Sequence, residues 1–477
     1  MPNAAAPDTP APDTPTHDTS DAPPASLDVA VLVDEQRLGG FTLRLVALAF
    51  LVMLTDGYDL LAAAYAGPGL IATWHIAPSA LGRVFSASPL GMLFGAPALG
   101  WLGDRFGRRR TVIAGTLIFS LFSFASAFAR GIDELMVLRF CTGIGLGGML
   151  PNITALIAEF APRRVRATLM VLMFLGVTAG SILPGLAVTA LPETDWRSLF
   201  LIGGIAPLGT AVLLGFLLPE SIKFLALRGG GRASARIERL VRRLRPELAI
   251  PPGTRFIIAT VAEPAERGGP MALFTGGLAL ITPLLWLLFA ANLMANYFLY
   301  SWMPTLFRAG GFSSTEAALV TDCYYAGGFI GGLVVSRAID RVGLVAVLGF
   351  FIIACPAVAV IGLPGLSPAM VAVAVFAGGF AVFGIQHGLN ATAGLIYPTR
   401  VRAAGVGWAF GAGRLGGIAG PLLGAWLIAR HVPIMQLFLA PVVPLGIGLV
   451  GCALLLAACR ARFGGNRLGG AVRARSG

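Results

Sequence analysis

The chain contains twelve apolar stretches, each long enough to cross a lipid bilayer as a helix. A span needs about 20 mostly apolar residues. The stretches fall at 41–63, 79–101, 111–129, 134–158, 168–190, 198–218, 277–303, 316–336, 344–362, 366–394, 402–428 and 434–459. No water satisfies the backbone inside a bilayer, so these segments are expected to be helices. Composition agrees: 56% of residues are hydrophobic and 12% charged, against about 25% charged in a soluble domain. The mean hydropathy is +0.81. The fold class is therefore an all-α integral membrane protein with twelve transmembrane helices.

Charge placement orients the spans. Most of the 35 lysines and arginines lie in the loops after the even-numbered spans, in the central linker and in the C-terminal tail. The opposite loops carry Arg130, Arg197, Arg308 and Arg430. This positive-inside bias puts both termini in the cytoplasm. The net charge of +12 then reports topology and contact with anionic lipid rather than nucleic-acid binding. Residues 1–26 include PDTPAPDTP, a composition that builds no core, and a disordered tail over 1–36 is expected. No cleavable signal is expected, and the first span acts as the insertion signal. Lysine occurs once, at Lys223, among many arginines. That points to a GC-rich genome and a bacterial inner membrane. Cys141, Cys323, Cys355, Cys452 and Cys459 all fall within spans and read as small packing residues.

The spans divide into two related halves. The loop after span two reads GWLGDRFGRRR, and that after span eight contains SRAIDRVG. Asp104, Arg105 and Gly107 match Asp340, Arg341 and Gly343. At the same offset, Pro162, Arg164, Val165, Arg166 and Ala167 match Pro398, Arg400, Val401, Arg402 and Ala403. Gly148 and Gly180 match Gly384 and Gly416. One register through loops and helices implies two parallel six-helix bundles, over 37–218 and 276–460, with a basic tail at 461–477. The segment 219–275 joins them. Its Arg-rich stretch from Ala233 to Arg245 suits an amphipathic helix on the inner leaflet or a solvated basic linker.

These motifs resemble the major facilitator superfamily. GWLGDRFGRRR looks like its loop signature, and the PES at Pro219 to Ser221 resembles the end of the sixth helix in symporter branches. Three further segments are similar to the aromatic acid:proton symporter family. They are DGYD at Asp56 to Asp59, LRFCTGIGLGGMLPN from Leu138 to Asn152, and YPTRVRAAGVGWAFGAGRLGGIAGP from Tyr397 to Pro421. Tyr58 departs from the Phe more usual there, which touches substrate choice. Ser336 departs from the leading Gly of the second loop signature.

Asp56 and Asp59 lie mid-span, where a charged Asp costs about 2.5–3.5 kcal/mol. At spacing i, i+3 they share a helix face. Adjacent carboxylates disfavour double ionisation, which suits a proton carrier; a permanent ion pair with an arginine is the structural alternative. Arg414 lies mid-span in the eleventh segment. Its guanidinium suits a two-bond fork to a substrate carboxylate, with a packing pair to Asp322 as the alternative. The resemblance also marks Arg139, which would pair with Asp56 or Asp59, contact substrate, or snorkel outward.

Gln386, His387 and Asn390 in the tenth span, and Asn296 and Tyr300 in the seventh, could hydrogen-bond ring hydroxyls or simply join helices. Tyr58, with Phe298, Trp302, Tyr324, Tyr325, Phe383 and Trp408, could sandwich a ring. Asp104, Arg105, Arg108, Glu159, Arg164, Asp340, Arg341, Arg400 and Arg402 form expected cytoplasmic gating charges, which break as the inner side opens; helix capping and topology are the plainer role. The Gly-rich runs lack the strand and GK[ST] of a phosphate loop. No HExxH, nucleophile elbow or metal-ligand cluster appears, so no enzyme and no cofactor is expected. The expected function is symport of an aromatic carboxylate with protons, driven by the proton gradient, by a monomer in contact with lipid. A porter for another solute and a transporter-like sensor are the rivals.

Overall fold

The computed structural model describes residues 26–463 apart from 37, 163, 193–194, 249, 252–253, 258–269, 276–277 and 398–400. A short strand β1 (Ser26–Asp28) and helix α1 (Val29–Asp34) precede six long helices: α2 (Gly40–Trp74), α3 (Leu81–Phe106), α4 (Arg108–Ser126), α5 (Ile132–Phe160), α6 (Arg166–Ala190) and α7 (Trp196–Leu217). The linker carries α8 (Ile222–Arg228), α9 (Gly231–Leu244) and strand β2 (Arg255–Ile257). Six more long helices follow: α10 (Ile281–Ala309), α11 (Ser314–Val342), α12 (Leu344–Ile361), α13 (Pro368–Ile396), α14 (Arg402–Ala429) and α15 (Val442–Phe463).

Eleven of the described helical segments are long and apolar enough to cross a membrane. The remaining long helix is α4. Its 19 residues start at Arg108, Arg109 and Arg110, which lower its apolar average, yet it packs against α5 and α7 within the first bundle. Its bounds sit closer to the linker side than the expected 111–129. Helix α2 runs to Trp74 rather than 63. Pro68 does not end it, because bundle neighbours support a helix across a missing backbone bond.

The sequence repeat reappears as helix packing. A Cβ at Gly91 would collide with the Phe140 carbonyl, pressing α3 onto α5; one repeat later, a Cβ at Gly327 would collide with the Phe376 carbonyl, pressing α11 onto α13. Gly180 meets the Leu54 carbonyl between α6 and α2, and Gly416 meets that of Ala290 between α14 and α10. Lipid tails are as apolar as leucine, so helix association in a membrane depends on this close backbone approach.

The halves meet through α2 with α10, α3 with α14, and α6 with α11. The bonds that join them gather at the end remote from the linker. Ser86 Oγ donates to the Ile418 carbonyl at 2.9 Å, Tyr65 Oη lies 2.5 Å from Asp322 Oδ1, and Phe85 meets Trp302 edge-on at 5.3 Å. At the linker end Asp340 and Arg341 stand exposed. Among the described residues, the side-chain bonds between the halves thus lie at the remote end.

Two expectations change here. The tail was expected to be disordered to residue 36, but 26–36 is ordered. Strand β1 pairs in parallel with β2, Leu27 opposite Phe256, and Val29, Leu32 and Val33 pack among Leu156, Phe160 and α9. Residues 1–25 lie outside the described residues. Helix α9 is amphipathic, but Ile237, Leu240, Val241 and Leu244 bury against protein rather than a leaflet. Its apolar face finds α1 and α8 before it could find lipid, while Arg232, Arg236, Arg239 and Arg243 stay exposed.

Gly180→Val should lower stability in detergent by about 1–3 kcal/mol, because a side chain there overfills a backbone contact. Gly209→Ala, which meets nothing within 4 Å, should leave the melting temperature unchanged in the same thermal scan.

Candidate functional site

Helix α2 carries Asp56 and Asp59 one turn apart, yet their surroundings differ. Asp59 is 2% exposed. It accepts from Arg139 Nη1 at 2.8 Å and from Ser123 Oγ at 3.1 Å. Arg139, itself 1% exposed, donates from Nη2 to Thr142 Oγ1 at 2.9 Å, and its guanidinium lies 5.0 Å from the Phe200 ring centroid. Arg139 therefore does not snorkel outward. Helices α2, α4, α5 and α7 enclose a paired charge inside the first half. An ion pair this deep gains little net stability, but breaking it strands a buried charge.

Asp56 is only half-buried and makes no ion pair among the described residues. Its electrostatic partner in the opposite half is Arg414 of α14, which is half-buried and likewise unpaired among the described residues. Tyr297 of α10 interacts with both charges, and its ring lies 4.7 Å from that of Tyr300. Asp56 and Arg414 thus lie within electrostatic reach of each other on opposite halves, near Tyr297 and Tyr300, with no hydrogen bond or ion pair between them among the described residues. A small cavity beside the Asp59–Arg139 pair is lined by Asp59, Ala63, Phe85, Arg139, Tyr300 and Ser301.

The other polar candidates fall on both sides of this line. Asn296 accepts from Tyr324 Oη at 2.8 Å. Asn292 Nδ2 donates to Gln386 Oε1 at 2.9 Å, and Gln386 Nε2 to Asn390 Oδ1 at 3.1 Å, so these residues tie α10 to α13. His387 is accessible, with its ring against Gly332 of α11. Tyr324, Tyr325 and Phe383 form one aromatic cluster, with centroids 5.4 to 5.8 Å apart. Tyr58 does not reach the interface between the halves. It is two residues round the helix from Asp56, about 200° away. It donates to the Leu199 carbonyl at 3.0 Å inside the first half. Ser123 and Thr142, which complete the buried pair, were not singled out in the sequence; Thr142 carries the only sequence signal, three residues after Arg139 on the same face.

Residues 45–310 and 285–469 each match the sequence profile of the Major Facilitator Superfamily. The chain belongs to this superfamily. Within it, the chain sits in the branch of aromatic acid transporters, and it is a transporter, not an enzyme. It is 36% identical over 428 residues to a 4-hydroxybenzoate transporter of Pseudomonas putida, covering 89% of this chain and 95% of that one. It is 36% identical to a gallate transporter of the same organism, covering 87% and 92%. Among solved structures, the xylose transporter of E. coli in a partially occluded inward open conformation superposes with a TM-score of 0.66 at 16% identity, covering 87% of this chain and 97% of that one.

In this facilitator the expected gating charges pair within the first half. Glu159 accepts from Arg108 Nη1 at 2.6 Å and from Ser221 Oγ, not from Arg164 or Arg166. Arg108 also lies 3.7 Å from Asp104. Arg105 stacks on Trp101 at 5.1 Å. Arg164 donates to the Gln36 carbonyl at 2.7 Å. Arg166 and Arg402 hold equivalent places in the repeat: their Nε atoms donate to the Ala161 and Tyr397 carbonyls at 3.1 and 3.2 Å. Arg400 lies outside the described residues. The network joins helices of the first half and the start of the linker rather than the two halves.

Arg139→Ala should destabilise the transporter by about 3–5 kcal/mol, since it leaves the Asp59 charge buried and unpaired. Arg139→Ala with Asp59→Asn should recover much of that loss. Equal melting temperatures for Arg139→Ala and the unmodified protein would contradict the assignment.

Proposed function

We propose that the chain is a proton-coupled symporter that carries an aromatic carboxylate into the cell by alternating access. In this reading the positive-inside bias puts the linker face in the cytoplasm. The observation that carries the reading is an acid, Asp56, and a cation, Arg414, on opposite halves and within electrostatic reach of each other, joined by no ion pair among the described residues. The relatives' printed substrates, 4-hydroxybenzoate and gallate, supply the aromatic acid.

Coupling follows from competition for one cation. An ionised Asp56 draws on the field of Arg414. Once Asp56 takes a proton from the outer side, Arg414 is released to form its fork with the substrate carboxylate. Proton and substrate thus favour each other's binding, and the effect is reciprocal. Tyr297 and Tyr300 offer hydroxyls and ring faces to a hydroxylated benzene ring. One proton with one monoanion crosses without net charge. Asp59 and Arg139 stay locked together and hold α2 in place.

Labelled 4-hydroxybenzoate should accumulate in proteoliposomes under an inward proton gradient, and unlabelled aromatic acids should block it. Gradient-dependent uptake indifferent to every aromatic acid would send the search to another solute; binding without accumulation would mark a sensor. Asp56→Asn should abolish gradient-driven accumulation while leaving substrate exchange across the membrane. Arg414→Lys loses the fork and should weaken apparent affinity by about tenfold, or ~1.4 kcal/mol; an unchanged affinity would remove Arg414 from the binding site.

A further inference from the structure

One buried acid plays no part in the mechanism above. Asp322 of α11 is 8% exposed and sits in the contact between the halves at the end remote from the linker. Tyr65 of α2 reaches it from the opposite half. Its Oη lies 2.5 Å from Asp322 Oδ1 and 3.3 Å from the Ala318 carbonyl. A phenol owns one proton, and a carbonyl only accepts. The two contacts are separate two-centre hydrogen bonds when Asp322 donates to Tyr65 and Tyr65 donates to Ala318; with Asp322 ionised, the one phenol proton goes to the carboxylate, alone or shared with the Ala318 carbonyl. The two-bond relay needs a protonated Asp322.

The surroundings agree. Asp322 Oδ2 is buried with no partner, which is far more costly for a carboxylate than for a neutral acid. A Cβ at Gly185 of α6 would collide with both carboxyl oxygens, so the bare backbone there seals the group from water. The titratable groups facing Asp322 are Tyr65 from α2 and Cys323 and Tyr325 from its own helix. Helices α10, α12 and α13, also packed on α11, present it with no charged partner.

We propose that Asp322 is a second proton-binding site, whose proton closes the outer gate and is not cargo. With the outer side open, Asp322 is ionised and hydrated. Closing takes one proton from external water, forms the carboxylic acid, and completes the Asp322–Tyr65–Ala318 relay between the halves. Opening returns that proton to the same side. The inference rests on the alternating-access reading but not on the coupling role of Asp56.

The test is the distance between spin labels at Arg130→Cys and Pro364→Cys, exposed on the outer ends of the two halves. The five native cysteines are replaced by alanine and the full chain is held in lipid nanodiscs. Between about pH 8 and about pH 5, the ratio of closed to open outer faces should rise by up to about tenfold per pH unit, the signature of one linked proton. Asp322→Asn, whose amide can donate to Tyr65 without a proton, should stay closed and lose the pH dependence. Tyr65→Phe should lower the closed fraction at low pH. Asp56→Asn should leave the pH dependence in place, so that failure of the coupling reading is seen separately. A ratio flat with pH in the otherwise unmodified protein, a slope retained in Asp322→Asn, or an unchanged closed fraction in Tyr65→Phe would overturn the proposal.

Discussion

A charge inside a bilayer has to be paired, neutralised or given access to water, and the interior of this transporter is arranged around that constraint. Asp59 and Arg139 take the first course: each is almost fully buried and bonded to the other. Asp56 and Arg414 take the last, standing half-buried on opposite halves. Asp322, as proposed, takes the middle course against Tyr65. The three arrangements have different consequences. A closed pair is rigid and holds α2 against α5. An open pair is free to exchange one partner for a substrate. A neutralised acid responds to pH.

The repeat explains why those charges can change partners without the protein losing its shape. Glycines at equivalent places press α3 onto α5 and α11 onto α13, so each half is close-packed in itself. The contact between the halves is lighter and concentrated at the end remote from the linker, through Ser86, Tyr65 and Phe85. Rocking one rigid half against the other then breaks a few bonds rather than many. The Glu159–Arg108–Ser221 cluster belongs to the rigid part.

The helices and the two halves were legible in the sequence, because apolar runs of bilayer length and a single offset between motifs leave little freedom. Asp56, Asp59, Arg139 and Arg414 were legible too, because charge at membrane depth is costly enough to stand out. Which charge meets which was not. Asp56 and Asp59 differ by about 60° of helix rotation, and that angle decides between a sealed pair and a half-buried acid. Tyr58 failed as a cleft residue for the same reason, since its face of α2 turns toward Leu199. The order of residues 26–36 was hidden because it depends on partners more than two hundred residues away, at β2 and α9.

The claim that most of the account depends on is the division between a sealed Asp59–Arg139 pair and an available Arg414. An experimental structure of the protein with 4-hydroxybenzoate bound tests it directly. The account predicts the carboxylate in a two-bond fork with the Arg414 guanidinium, the ring against Tyr297 or Tyr300, and Arg139 still bonded to Asp59. A carboxylate seated on Arg139, with Asp59 displaced and Arg414 empty, would contradict it.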